Sequence, residues 1–517
     1  MGVTTVERAP GPPSPRARRP RTPVGTRTWV ALCVLLVVGA RLPFLTLHVG
    51  ADEGGFLLLG SQWHAGDGSL YGAYWVDRPP LLIAIFGAAD ALGGAVPLRL
   101  IGCLAAALVV LLAFDAGRTA RGDAGGRWAA MAAGAFLTTS MFGAPEVSGE
   151  LLAIVPVMAA VAVVLRLVDE PDRGRQLRGG LLAGALSALA PLVKQNIVDG
   201  FVFAVVAIGV AVLVGRMDRR AGLRVVLAGV VGALATATVV LIWAASRGTG
   251  LLELWNALFP FRAEAAAVIS SSASPATGER LVRIIGSFVI SGGAVLATLA
   301  LVSVVRRRGR DHVGTGAVAV LAWTTFSVFA GGSYWLHYLL EMLPGLVLAA
   351  AIAGGGVRRT RRVGRPVVVY ALVLAVIAGT TSSLQRIETG SRPSAAASWL
   401  RAATVPGDTA VIGYGQPGIL YEAGLTSPYP MVWSLPVRVR DPRLTELAAV
   451  LAGPDAPEWI VLWQGTLRSW GIDPAAAQPV VRDRYRQVST VCGFAMLLRD
   501  DVQRRLPAPP AECPSGR

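Results

Sequence analysis

The sequence predicts an α-helical polytopic membrane protein of about eleven spans, with external interfacial helices and a small soluble α/β domain at the C-terminal end. Three observations predict it. Hydrophobic residues make up 53% of the 517 and charged residues only 15%, too apolar a balance for a soluble protein of this size. Apolar runs of membrane-crossing length recur between residues 29 and 385. Short arginine-rich loops separate them, the pattern of segments retained on the cytoplasmic side.

Residues 1–28 are rich in Pro and Arg (Arg16, Arg18, Arg19, Arg21, Arg27) and are expected to form a disordered arm held on the cytoplasmic side by its charge. The run 29–47 continues into Arg41 and Pro43 without a small-residue cleavage pattern, so it reads as a signal anchor. Further spans are expected near 98–117, 128–143, 151–167, 179–194, 197–215, 224–245, 283–304, 314–332, 335–353 and 366–385. The basic loops 118–127, 166–178, 216–224, 306–310 and 358–365 then fall on one side. This parity requires that residues 79–96 do not cross. Asp90 and three glycines interrupt that stretch, and it is expected to lie as an amphipathic helix on the outer interface. The N-terminus is then cytoplasmic and the C-terminus extracytoplasmic, in a multi-pass plasma-membrane protein.

A net charge of +16 would suit nucleic acid, but the arginines lie in loops between spans, which excludes a nucleic-acid partner as the reading. Beyond residue 384 Pro, Asp, Glu and Trp become frequent. Residues 29–385 therefore read as the membrane domain and 386–517 as a soluble extracytoplasmic domain, with strands at 409–414, 459–463 and 490–498 and a helix at 444–452. Of the four cysteines, Cys33 and Cys103 lie in apolar runs, where thiols behave as small hydrophobes, and Cys492 and Cys513 are expected to pair in an oxidising compartment.

The chemistry-bearing residues cluster between the expected spans on the external side. Asp52 and Glu53 follow the first span, and the segment after them holds His48, Gln62, Trp63, His64, Asp67, Tyr71, Tyr74 and Trp75 before Asp77-Arg78-Pro79-Pro80. Arg99 opens the next span, Glu146 and Glu150 precede another, and His337-Tyr338 stands before Pro344. Lys194 is the sole lysine among 48 basic residues and occupies an external turn before Gln195 and Asn196. A carboxylate can take the proton of an attacking hydroxyl, and neighbouring cations can hold the charge of a departing anion such as a phosphate. One base and one phosphate leaving group imply an inverting displacement, since no second carboxylate nucleophile is required.

This arrangement resembles the GT-C glycosyltransferases, similar to the protein O-mannosyltransferases and the lipid A aminoarabinose transferases. The resemblance covers roughly residues 29–385. It implies transfer of a sugar from a polyprenyl-phosphate donor to a glycan, lipid or protein acceptor on the outer face of the membrane. By position it assigns the general base to Asp52, the adjoining acid to Glu53 and the second-loop acid to Glu150. Arg78 stands where the family usually has Lys, and with Lys194, Arg99, His337 and Tyr338 it is expected at the donor phosphate. Richness in Arg, Ala and Gly with a single Lys points to a GC-rich genome, of a kind in which arabinose and mannose carriers are the expected donors. Two neighbouring acids can hold a divalent ion such as Mg or Mn, although no fuller ligand set appears. Each residue also has a plainer role open to it: helix-start acids for Asp52, Glu53 and Glu150, interface anchors for Arg99, His337 and Tyr338, and a snorkelling cation for Lys194. A transporter or flippase of a lipid-linked glycan, and a silent scaffold for the C-terminal domain, are the competing functions.

Overall fold

The computed structural model describes residues 25–64, 68–143, 146–271 and 275–515. The first 24 residues of the expected arm, and Asp67, lie outside them. Helix α1 (Thr26–Gly39) passes into a short 3-10 turn at Leu42–Phe44, where Pro43 cannot continue an α-helix. Then come α2 (Ala51–Ser61), α3 (Pro80–Ala91), α4 (Ala95–Thr138), α5 (Gly149–Leu167), α6 (Arg173–Val193), α7 (Asp199–Leu213) and α8 (Arg219–Ser246). The helical part continues through α9 (Leu251–Leu258), α10 (Pro260–Ser271), α11 (Pro275–Ile290), α12 (Gly293–Arg306), α13 (His312–Ala330), α14 (Leu343–Gly355) and α15 (Arg358–Thr389).

Among the described residues eight helices are long and apolar enough to cross a membrane, or nine if α11 and α12, bent by 64° at their join, form one span. Two further crossings escape that criterion. Helix α4 is a hairpin, because the backbone leaves helical geometry at Arg121 and Gly122 and turns back. Gly126 then packs on Phe114, and Gly117 on Gly125 and Ala129; in a continuous helix residues 114 and 126 would stand about 18 Å apart. Helix α7 has only 15 residues. Its neighbours α6 and α8 run parallel, with Gly180 against Val225 and Gly184 against Gly229, so α7 must return between them. With these two, the nine spans become the eleven that the loop charges require.

Helix α3 is 12 residues, roughly 18 Å, too short for a hydrocarbon core of about 30 Å. It folds back on α2 through close backbone contact between Gly60 and Gly87. Helix α14 is buried from Leu343 to Gly354, as expected of an all-apolar helix surrounded by others. Helix α8 instead exposes Leu227, Val230, Val231 and Leu234 along a lipid-facing side. One end of the bundle carries the basic loops, tied by pairs such as Arg216–Asp169 (2.6 Å) and Arg307–Asp311 (3.7 Å). The opposite end carries the starts of α2, α5 and the turn before α14, and the end of α6.

The C-terminal residues form α16 (Arg392–Ala403), β1 (Ala410–Ile412), α17 (Gly418–Ala423), α18 (Ser434–Arg440), α19 (Thr445–Ala452), β2 (Trp459–Trp463), α20 (Ala477–Arg484), β3 (Tyr485–Val491) and β4 (Phe494–Arg499). The sheet order is β1-β2-β4-β3, with β1 and β2 parallel and the other pairs antiparallel. The single strand expected at 490–498 is in fact the turn and second arm of a hairpin. Cys492 and Gly493 both take positive φ, 50° and 93°, the geometry of a tight two-residue turn whose twist suits the flanking strands. Cys492 and Cys513 are disulfide-bonded, with 5.3 Å between their Cα atoms.

Candidate active site

The first turn of α2 presents two acids with different surroundings. Glu53 is buried, its Oε2 2.9 Å from Arg99 Nη2 and its Oε1 accepting the Val147 N–H at 3.0 Å. Arg99 also donates to the carbonyls of Phe44 (2.6 Å), Leu47 (2.5 Å) and His48 (2.8 Å). These carbonyls belong to the irregular link between α1 and α2, where no helix satisfies them. Arg99, expected at the donor phosphate, is therefore not brought to the cavity; its donors hold that link against Glu53.

Asp52 is exposed to a small cavity that it shares with Glu53, Arg78, Glu146, Ser148, Glu150, Lys194, His337 and Tyr338. Its Oδ1 accepts a hydrogen bond of 3.1 Å from Trp433 Nε1. Arg78 precedes Pro79 and Pro80, which force extended backbone before α3 and place Pro80 in its first turn. The Tyr71 hydroxyl fixes this segment by donating to the Arg78 carbonyl at 2.5 Å. Asp77 is buried between two guanidinium groups, 2.9 Å from Arg78 Nη1 and 2.7 Å from Arg262 Nη1.

The third group centres on Lys194, just past the end of α6. Its ammonium contacts Glu150 Oε1, lies 2.8 Å from Glu341 Oε1 and stands 4.3 Å above the Tyr338 ring. Burial opposes the charge, but Glu150 and Glu341 outweigh it and hold the ammonium's pKa above the usual lysine value. Asn196 donates to the second Glu341 oxygen at 2.8 Å, and His337 Nε2 is 3.6 Å from Glu150 Oε1. Gly143 lets the His337 backbone approach, since a Cβ there would lie 2.8 Å from His337 N. Lys194 thus lies in the cavity wall, paired to two carboxylates.

Both Glu53 oxygens and one Asp52 oxygen accept hydrogen bonds. Among the described residues no group of three or more His, Cys, Asp or Glu stands close enough to ligate a metal. A broader depression of about 680 Å³ lies on the C-terminal unit beside Arg443, Arg468 and Trp470, away from the paired acids and cations. Sequence reasoning missed Glu341, Arg262 and Trp433. A carboxylate inside the apolar run 335–353 is the signal that could have marked Glu341. Nothing local marks Trp433, which reaches α2 from 381 residues away.

No protein-family model and no curated protein matches this sequence. Solved structures do. ArnT from Cupriavidus metallidurans, bound to undecaprenyl phosphate, superposes with a TM-score of 0.63 at 15% identity, over 91% of this chain and 97% of that one. The Archaeoglobus fulgidus oligosaccharyltransferase AglB, in complex with an inhibitory peptide and a dolichol-phosphate, gives a TM-score of 0.51 at 11% identity, over 92% of this chain and 75% of that one. Another structure of that enzyme, in complex with Zn and sulfate, gives 0.50 at 11% identity over 91% and 73%. The chain shares the fold of ArnT and of the archaeal oligosaccharyltransferase.

Proposed function

We propose that this protein is a membrane glycosyltransferase moving a sugar from a polyprenyl-phosphate donor to a hydroxyl of an extracytoplasmic glycan, lipid or protein. Residues 29–385 form its catalytic membrane domain, and 386–517 an extracytoplasmic unit. The observation that carries the reading is the shared cavity, in which the exposed carboxylate of Asp52 faces the same space as Arg78 and the Lys194 cluster. The two structural neighbours, solved with undecaprenyl phosphate and with a dolichol-phosphate, support a lipid-phosphate donor.

In this reading Asp52 takes the acceptor's proton as its oxygen attacks the anomeric carbon. The bond from that carbon to the phosphate oxygen breaks, and the electron pair leaves with the lipid phosphate. Arg78, with Arg262 behind Asp77, offsets the growing negative charge. Attack opposite the leaving group inverts the configuration. Glu53 and Arg99 hold the backbone under Asp52, and Lys194, with Glu150, His337 and Tyr338, shapes the wall near the donor phosphate.

The test is transfer of radiolabelled sugar from synthetic undecaprenyl-phospho-mannose or undecaprenyl-phospho-arabinose to native membrane acceptors by the purified chain. Transfer should fall about 10² to 10⁴-fold in Asp52→Asn, with folding and insertion retained. Activity within a few-fold of wild type in that variant would remove Asp52 as the base.

A further inference from the structure

We propose that Trp433, from the C-terminal unit, is a positioning residue for Asp52, so that docking of this unit onto α2 sets the catalytic base. The inference rests on Asp52 being that base. An exposed aspartate on a first helical turn has several staggered rotamers open to it. The indole N–H, 3.1 Å from Oδ1, selects one of them and leaves Oδ2 to accept the acceptor's proton.

A positioning donor must itself be held in place, and packing holds Trp433. Its ring packs on Phe56 at 5.2 Å between centroids and lies over Gly55, where any Cβ would come within 2.3 Å of it. The neighbouring backbone is clamped at four more places. Gly54 lets Gly418 approach so closely that a Cβ on Gly54 would lie 2.5 Å from the Gly418 Cα. The Val49 N–H donates to Glu422 Oε1 at 2.8 Å. The Ser427 N–H donates to the Tyr74 hydroxyl at 2.8 Å. The Trp75 N–H donates to the Pro430 carbonyl at 3.0 Å, which closes the clamp and ties residues 49–75 to residues 418–433 on both sides of Asp52. Such a set of close contacts around one carboxylate is what holding a reacting group to within a fraction of an ångström requires.

The experiment uses the full chain in lipid nanodiscs. Trp433→Phe keeps an aromatic ring over Gly55 and removes only the N–H. With undecaprenyl-phospho-mannose or undecaprenyl-phospho-arabinose, the apparent kcat is expected to fall about tenfold while KM for the donor stays within twofold. The same substitution on an Asp52→Asn background should cost nothing more. A readout without turnover accompanies this: in ¹⁵N-tryptophan-labelled protein, the indole signal lost in Trp433→Phe should be the one displaced by Asp52→Ala, at unchanged melting temperature. An unchanged kcat in Trp433→Phe, a loss carried by KM alone, or an indole signal indifferent to Asp52→Ala would overturn the proposal. If Asp52→Asn itself remains active, the base assignment is what fails, and the indole signal still decides whether Trp433 holds Asp52.

Discussion

The Lys194 ammonium stands 2.8 Å from Glu341 Oε1 and touches Glu150 on its other side, so one cation joins the end of α6 to the start of α5 and the turn before α14. Removing it leaves two buried carboxylates facing each other. Lys194→Ala should therefore cost about 3–5 kcal/mol of stability as well as activity. Lys194→Arg should recover part of both, because a planar guanidinium cannot take the same position between them. Glu341→Gln combined with Lys194→Ala should cost less than the sum of the two single changes. Thermal melts of the four proteins check this, and strict additivity would mean that Lys194 and Glu341 do not interact.

Arg99 is expected to behave as a structural residue. Arg99→Ala strands the carbonyls of Phe44, Leu47 and His48 and unpairs Glu53, which should cost about 3 kcal/mol or more. The fraction that folds should bind undecaprenyl phosphate with wild-type affinity, whereas Arg78→Ala should weaken that binding about tenfold or more. Titration of both variants with the free lipid phosphate separates the two roles.

Reporters fused after Gly50 and after Gly94 should report the same side of the membrane. Both points meet one short helix of the C-terminal unit: Gly418 lies against Gly50, and Tyr421 against Gly94. Tyr421 also donates to Asp90 at 2.9 Å. Opposite readings would require α3 to cross and every later loop to change sides.

Asp408 predicts an acid-sensitive C-terminal unit. Burial pushes its carboxyl upward, but hydrogen bonds from Arg504 and Trp459 prevail and hold its pKa below the usual 3.8. A carboxyl depressed on folding contributes stability that is present above its unfolded pKa and is lost as pH falls through the folded value. Stability should therefore be level near neutrality and decline below about pH 4. Asp408→Asn should lower stability at pH 7 and flatten that decline, as followed by tryptophan fluorescence of the full chain during acid titration.

Composition and charge spacing by themselves determined that this chain crosses a membrane many times and which end carries the basic loops, and they predict that residues 79–96 stay on one side. Those properties follow from hydrophobic length and from the sign of local charge, both readable along the chain. The gathering of Asp52, Arg78, Glu150, Lys194, His337 and Tyr338 could be anticipated for a related reason, since alternating spans return their connecting segments to the same end. What each polar group does there was decided only by the tertiary structure. A buried ion or donor takes whichever partner removes its desolvation cost, and that partner need not be near in sequence. Arg99 therefore faces the carbonyls of an irregular link, and Lys194 sits between Glu150 and Glu341. Trp433 reaches Asp52 because Gly54 and Gly55 leave room on α2 for the C-terminal unit to dock, a fit of surfaces that no local pattern in either segment specifies.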